Sequence, residues 1–242
     1  MTLSAPLYQL KRKAKLLAKA EALPLHAALD RIAVQEGFPA WSLLALRATK
    51  AATDMPSARL FSRLSPGDML LIGARPSQGK TLMSLKLAVE AMKAGHRCHF
   101  FTLEYTKADV LERFRAIGAG LRPFEELFDF DGSDGISADH IIGKLANAAP
   151  GTLVVVDYLQ LLDQRRDTPP LSAQVGALAA FAKTSGVIFA FISQIDRSYD
   201  SAAKPCPDLS DIRLPNPVDL SLFSKAWFLN KGQVRFQANL SA

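Results

Sequence analysis

Residues 73–81 have the residue types and the spacing of a phosphate-binding loop. They satisfy the pattern G-x-x-x-x-G-K-[ST], with a strand-like apolar run before them and a helical pattern after them. Main-chain N–H groups in such a loop turn inward around phosphate oxygens, while Lys80 reaches the outer phosphates and the Thr81 hydroxyl binds Mg²⁺. Gly73 and Gly79 are expected to let the backbone bend and approach the anion. The predicted nucleotide-binding residues are Gly73, Ala74, Arg75, Pro76, Ser77, Gln78, Gly79, Lys80 and Thr81.

Three further polar residues end apolar runs that follow this loop. Asp157 ends one of them, and its carboxylate is expected to meet the Mg²⁺ held by Thr81, because ligands bind at the carboxyl edge of open parallel sheets. Glu104 is a candidate general base for the water that attacks the terminal phosphate, or else a surface glutamate at a strand end. Gln194 is a candidate sensor of that phosphate through a hydrogen bond, or else only a polar strand end.

The elements that must position these residues alternate in type from about residue 64 onward. Short strands that are apolar on both sides, separated by helices, indicate a mostly parallel sheet covered by helices on both faces. Two apolar runs near the end flank residues 230–233, which predicts a β-hairpin. We therefore predict an α/β fold, with a small helical N-terminal segment at 1–63 and the main domain at 64–242.

The composition excludes several classes of protein. Of 242 residues, 49% are hydrophobic and 21% are charged, which argues against a disordered or collagen-like chain. The two cysteines, Cys98 and Cys206, do not make a disulfide framework. No apolar run approaches the ~20 residues that a membrane-spanning helix needs. We expect a cytoplasmic protein with no membrane partner.

Five segments resemble, in the same order, the C-terminal motor domain of DnaB-type replicative helicases. The resemblance implies a RecA-like P-loop fold, hydrolysis of ATP with Mg²⁺ at subunit interfaces, and a hexameric ring with single-stranded DNA in its channel. It also implies that Glu104 is the catalytic base and Gln194 the γ-phosphate sensor, and that a loader or another replication protein is a partner. The segments are the loop at 73–81, Thr-Leu-Glu at 102–104, Val-Asp-Tyr-Leu-Gln-Leu-Leu at 156–162, Ser-Gln-Ile-Asp-Arg at 193–197 and Leu-Ser-Asp-Ile-Arg at 209–213.

Three departures from the family pattern keep alternatives open. Residues 1–63 are shorter than the family's helical N-terminal domain and different from it, and the acidic stretch after 209–213 is cut to four residues. The Lys-x-Arg-x-Gly element, which gives cations to the neighbouring subunit's phosphates, is absent, and only Lys231 and Arg235 lie nearby. One alternative is an ATP-gated regulatory or loading module with slow hydrolysis and no translocation. The other is a recombinase-like filament former.

By the same resemblance, the loops around residues 164–168 and 197–204 line the channel, and they are candidates for contact with single-stranded DNA. Cations there can meet phosphates and an aromatic ring can stack on a base, whereas an ordinary solvated loop is the alternative. The candidate residues are Arg165, Arg166, Arg197, Tyr199 and Lys204.

Charge is segregated along the chain. The net charge is +6, and residues 1–64 carry all of that excess, whereas residues 123–143 hold six acids and no Lys or Arg. We hypothesise that the basic helix at 11–19 docks on the acidic segment at 125–139 of an adjacent subunit, as the family's linker helix docks on its neighbour.

Overall fold

Seven strands form one sheet in the order β3-β2-β4-β5-β1-β6-β7. The structure is a computed structural model, and it describes residues 7–21, 23–44, 57–120, 122–163, 168–199, 204, 206–214 and 216–238. The strands are β1 (Met69–Ala74), β2 (Cys98–Thr102), β3 (Phe128–Asp131), β4 (Leu153–Asp157), β5 (Ile188–Gln194), β6 (Lys225–Asn230) and β7 (Gln233–Ala238).

Parallel pairing dominates this sheet. β1 pairs with β5 and β6, β4 pairs with β2 and β5, and β2 pairs with β3, and all five pairings are parallel. β1 and β4 are buried along their whole length, which explains why they read as continuous apolar runs rather than as alternating ones. The predicted α/β fold with a mostly parallel sheet is therefore confirmed.

Helices cover both faces of the sheet. Successive residues of β1 belong to different apolar clusters: Leu71 packs with Val175 and Leu178 of the helix Leu171–Ser185, whereas Ile72 packs with Leu85 of the helix Lys80–Lys93. None of the helices in the described ranges is both long and apolar enough to cross a lipid bilayer. The helices are α1 (Leu7–Ala20), α2 (Leu25–Gln35), α3 (Ser57–Phe61), α4 (Lys80–Lys93), α5 (Lys107–Ala116), α6 (Ala138–Lys144) and α7 (Leu171–Ser185).

The C-terminal pair of strands forms the predicted hairpin. β6 and β7 are neighbours in the sheet and are joined by Lys231 and Gly232. Both turn residues have positive φ angles, 47° and 86°. Two successive residues with positive φ make the type of two-residue turn that matches the right-handed twist of a hairpin.

The chain divides into two units, residues 1–54 with 231–233 and residues 55–230 with 234–242. In the first, Leu10 and Ala14 of α1 pack with Ala28 and Ile32 of α2. In the second, Leu60 of α3 belongs to the apolar cluster on the α4 side of the sheet. The assignment of residues 1–63 to a separate segment stays a prediction, and by its packing α3 belongs with the sheet.

A carboxylate fixes the start of β1 against the start of β6. Asp68 immediately precedes β1, is 9% exposed, and accepts hydrogen bonds from the Ser224 hydroxyl at 2.7 Å and the Ser65 N–H at 2.6 Å. Its carboxylate also forms an ion pair with the Lys225 ammonium. The Ser224 N–H donates to the Met69 carbonyl at 2.9 Å, so backbone and side chain set the same register.

We predict that Asp68→Ala destabilises the protein by about 3 kcal/mol, because it leaves a largely buried Lys225 ammonium unpaired. The measurement is the free energy of unfolding in urea. Asp134→Ala, at an exposed carboxylate, is the matched control and should change stability by less than about 0.5 kcal/mol. Equal effects of the two substitutions would contradict the role given to Asp68.

Candidate functional site

The phosphate-binding loop connects β1, which ends at Ala74, to α4, which begins at Lys80. Gly79 precedes the helix with φ 89° and ψ 22°, and Ser77 has φ 63°. A residue with a side chain is strained at such an angle, so the turn into α4 accounts for the glycine at position 79. The residue that precedes α4 is a glycine, which has no side chain to cap the helix, so the first N–H groups of α4 are suited to binding an anion.

The packing around Gly73 gives a second reason for a glycine at this position. It lies within β1 and its φ is not positive, so it makes no special turn. A Cβ atom at Gly73 would lie 2.9 Å from two ring carbons of Phe228 on β6 and 3.2 Å from a methyl carbon of Ile195. Close packing of β1 against these side chains disfavours a larger residue here, and the predicted approach of the backbone to an anion stays a prediction.

Thr81 and Asp157 meet at the mouth of the loop. The Thr81 hydroxyl donates a hydrogen bond to Asp157 Oδ2 at 3.0 Å. Asp157 ends β4 and is only 1% exposed; burial, aided by the negative charge of Glu104, raises the pKa of its carboxyl to about 6. A hydroxyl and a carboxylate oxygen are the hard ligands that Mg²⁺ prefers. The pair therefore fits a Mg²⁺ ion whose remaining ligands come from phosphate and water.

Lys80 lies in the same charged environment. Its ammonium donates to the Arg75 carbonyl at 3.4 Å. Burial lowers the pKa of Lys80, and the negative charges of Asp157 and Glu104 oppose that effect. The ammonium therefore lies beside the loop, within the electrostatic field of both carboxylates, where phosphate oxygens would be bound.

Glu104 lies just beyond the end of β2, and Gln194 is the last residue of β5. Glu104 is exposed just beyond β2, and its N–H donates to the Thr102 hydroxyl at 3.1 Å. Thr102 is the register partner of Asp157, and Gln194 is the register partner of Ala74. The sheet thus places both predicted side chains at the carboxyl edge that carries the loop. Their roles as base and sensor stay predictions.

The predicted DNA-binding residues have different environments. Arg165 and Arg166 lie outside the described residues, and Arg197 is exposed. Tyr199 is only 7% exposed, and its hydroxyl donates to the Lys204 carbonyl at 2.6 Å. The prediction that its ring is available to stack on a base is therefore wrong, because the ring is packed inside the protein.

Lys204 is held by carboxylates of its own chain. Its ammonium lies 2.6 Å from Asp208 Oδ2 and 2.6 Å from Asp211 Oδ2. The hydrogen bond from Lys204 is the largest cause that lowers the pKa of Asp208, to about 2. A paired ammonium gains less from a nucleic-acid phosphate than a solvated one, so Arg197 is the more suitable cation of the two.

The segment Leu-Ser-Asp-Ile-Arg supports the end of β5, a role that its spacing did not reveal. Ile212 forms an isolated antiparallel bridge with Ile195, and the Asp196 N–H donates to the Asp211 carbonyl at 2.7 Å. The Arg213 N–H donates to the Gln194 carbonyl at 2.8 Å. These bonds fix the backbone of Gln194 beside the phosphate-binding loop.

Comparison with known proteins agrees with the resemblance that the sequence motifs indicate. Residues 57–123 match the family model described as DnaB-like helicase C terminal domain. The replicative DNA helicase DnaB of Leifsonia xyli subsp. xyli is 25% identical over 192 residues, which are 66% of this chain and 42% of that relative. The replicative DNA helicase DnaB of Mycoplasma genitalium is 24% identical over 204 residues, 68% of this chain and 44% of that relative. The chain thus spans less than half the length of these curated relatives.

The resemblance to the DnaB-type C-terminal domain is therefore confirmed. Two solved structures support the fold. One, described as an ATPase domain, has a TM-score of 0.55 at 21% identity, covering 71% of this chain and 74% of that one. A DnaB-like replicative helicase, whose structure was described with its interactions with primase, also has a TM-score of 0.55, at 22% identity, covering 67% of this chain and 47% of that one. The RecA-like α/β architecture is thus shared.

We predict that Gly73→Ala destabilises the protein by about 1–3 kcal/mol, because its new Cβ overlaps the Phe228 ring and forces a shift between β1 and β6. Urea unfolding measures the loss. Combining Gly73→Ala with Phe228→Leu should recover part of it. Gly120→Ala, where an added Cβ meets no atom of the described residues within 4 Å, is the control. A Gly73→Ala protein as stable as the control would contradict this account of Gly73.

Proposed function

We propose that this chain is the ATP-hydrolysing motor domain of a DnaB-like helicase, which acts on single-stranded DNA as a ring oligomer. The observation that supports it most directly is the 3.0 Å hydrogen bond between Thr81 and Asp157 at the mouth of the phosphate-binding loop. A hydroxyl and a carboxylate on separate elements meet at the point where a Mg²⁺ ion beside bound phosphates needs protein ligands. The family match and the curated relatives agree with this function.

Each of the site residues would have a separate role in ATP hydrolysis. The first N–H groups of α4 and the Lys80 ammonium bind the phosphates, and Thr81 and Asp157 hold the metal ion. Bound Mg²⁺ supplies electrostatic stabilisation of the negative charge on the transferring phosphoryl group. Glu104 accepts a proton from the attacking water, and its exposed position lets that water reach it. Gln194 donates its amide N–H to the terminal phosphate.

The proposed partners follow from the same family. We propose single-stranded DNA as the polymer substrate, a hexamer as the assembly, and a primase or loader as a replication partner in the cytoplasm. One relative was solved in a study of its interactions with primase. Charge segregation along the chain suggests a contact between subunits, and charged residues that could form it are exposed. They are Lys11, Arg12 and Lys13 on α1 and Glu125 and Asp129 near β3.

The decisive test is titration of the protein with Mg·ATP by calorimetry, together with ATP turnover. We expect Lys80→Ala to abolish binding heat or turnover, since it removes the cation that meets the outer phosphates. Glu104→Gln should keep binding and lose at least about 100-fold in turnover, because a positioned base contributes 10²–10⁴-fold. Lys107→Ala and Glu112→Gln, at exposed positions of α5, are matched controls.

Each possible outcome bears on a different part of the proposal. The absence of heat in the wild type would rule out the nucleotide site. Full turnover in Glu104→Gln would remove that residue from the base role. Turnover that does not respond to single-stranded DNA, together with no strand displacement, would contradict the motor function and favour a regulatory or loading module.

We predict that Arg197→Ala lowers the salt dependence of single-stranded DNA binding, whereas Lys204→Ala leaves it nearly unchanged. Each phosphate contact on a single strand contributes about 0.7 to the slope of log K against log salt. Arg197 is exposed, while the Lys204 ammonium is already paired with Asp208 and Asp211. The measurement is fluorescence anisotropy of a labelled oligonucleotide across a salt series. An equal loss of slope in both variants would contradict the distinction.

A further inference from the structure

The side chain of Arg75 extends from the phosphate-binding loop to a neighbouring turn. Arg75 is the first residue after β1, and its Nη1 donates to the Tyr199 carbonyl at 3.1 Å and to the Arg197 carbonyl at 3.3 Å. These carbonyls belong to the turn at 196–199, which follows β5. The guanidinium therefore binds a second main-chain segment, although the pattern of the loop counts Arg75 among the nucleotide-binding residues.

The turn that receives Arg75 is already well ordered. The Asp196 carboxylate accepts a hydrogen bond from the Ser198 N–H at 2.8 Å, and the Tyr199 N–H donates to the Asp196 carbonyl at 3.3 Å. Hydrogen bonds from Ser198 hold the pKa of Asp196 below its usual range. We therefore expect a change at the Arg75 guanidinium to affect the turn as a unit.

Hydrogen bonds of Tyr199 connect the turn to residues outside it. The Tyr199 hydroxyl donates to the Lys204 carbonyl at 2.6 Å and accepts from the Asn230 amide at 3.2 Å. Tyr199 thus links the turn to position 204, at the far end of the loop predicted to contact DNA. Arg197, the exposed cation of this loop, supplies one of the two carbonyls that Arg75 binds.

In the phosphate-binding loop, Arg75 is hydrogen-bonded to the lysine that is expected to bind phosphate. The Lys80 ammonium donates to the carbonyl of Arg75 itself at 3.4 Å. Phosphate oxygens in the loop compete for the same ammonium, because this lysine reaches the outer phosphates in such sites. Bound nucleotide therefore changes the hydrogen bonding of the residue that holds the turn.

We propose that Arg75 is a positioning residue that couples nucleotide in the phosphate-binding loop to the turn at 196–199, and through it to single-stranded DNA. The inference rests on the proposed function, since it needs a site for Mg·ATP. Coupling requires the turn to have different hydrogen bonding with and without nucleotide, and we expect the two bonds that Arg75 donates to be the ones that change. In this role the guanidinium of Arg75 binds the main chain of Arg197 and Tyr199 rather than a phosphate.

Hydrogen exchange tests the coupling directly. Peptides that cover residues 192–199 are followed with and without Mg²⁺ and a non-hydrolysable ATP analogue. In the wild type we expect the ligand to change exchange at 196–199 by about fivefold or more, the lower range of measured couplings between sites. Arg75→Met should remove that change, Arg75→Lys should restore part of it through one donor, and Arg115→Met, at an exposed position of α5, should behave as the wild type.

A second readout is the ratio of ATP turnover with and without single-stranded DNA. A ratio remains informative when a variant is slower overall, and a purely structural defect would lower both rates together. We expect the ratio to fall about fivefold or more in Arg75→Met, and to recover in part in Arg75→Lys. The Arg115→Met ratio should match that of the wild type.

The outcomes separate this inference from the proposed function. No calorimetric heat in the wild type would remove the nucleotide site and the coupling together. Binding heat without any change of exchange at 196–199, or an equal change in wild type and Arg75→Met, would overturn the coupling and leave the nucleotide site intact. Loss of all binding heat in Arg75→Met at saturating ligand would make the guanidinium a phosphate contact and would also overturn it.

Discussion

The hydrogen bond between Thr81 and Asp157 joins residues 76 positions apart, and the site depends on it. It can form only because β4, β5 and β1 are consecutive in a parallel sheet, so that their carboxyl ends reach one edge. Burial of Asp157 makes its ionised form costly, and Thr81 and Lys80 offset part of that cost. A dication bound there would offset the rest, which is why the fold can maintain a buried carboxylate at this position.

Contacts elsewhere in the sheet hold β1, the strand that leads into the phosphate-binding loop. Asp68 fixes the start of β1 against β6, and the close contact of Gly73 with Phe228 fixes β1 one residue before its carboxyl end. β1 is therefore held along its length before the chain enters the phosphate-binding loop. A loop that must present N–H groups to an anion benefits from a rigid strand before it and a helix after it, since reorganisation on binding then costs little.

Much of this arrangement could be predicted from sequence because its causes are local. The loop glycine at 79, the apolar runs of β1 and β4, and the turn at 231–232 each reflect a backbone angle or a burial pattern within a few residues. Tyr199 and Lys204 could not be predicted, because their environments come from Asn230, Asp208 and Asp211. Outside a helix, the spacing from Lys204 to Asp208 gives no reason to expect that the two side chains meet.

The position of Arg75 shows why a motif can name a residue without giving its role. The general pattern of a phosphate-binding loop specifies its glycines, its lysine and its hydroxyl, and allows any residue type at the position of Arg75. A main-chain N–H at that position can serve the anion whatever the side chain does, so the side chain is available for another contact. Here the contact is with the carbonyls of Arg197 and Tyr199, on a segment whose end is fixed by Asp211 and Arg213. One residue can thus contribute its backbone to the nucleotide site and its guanidinium to the neighbouring turn, and it is this division between main chain and side chain that makes coupling between the two physically possible.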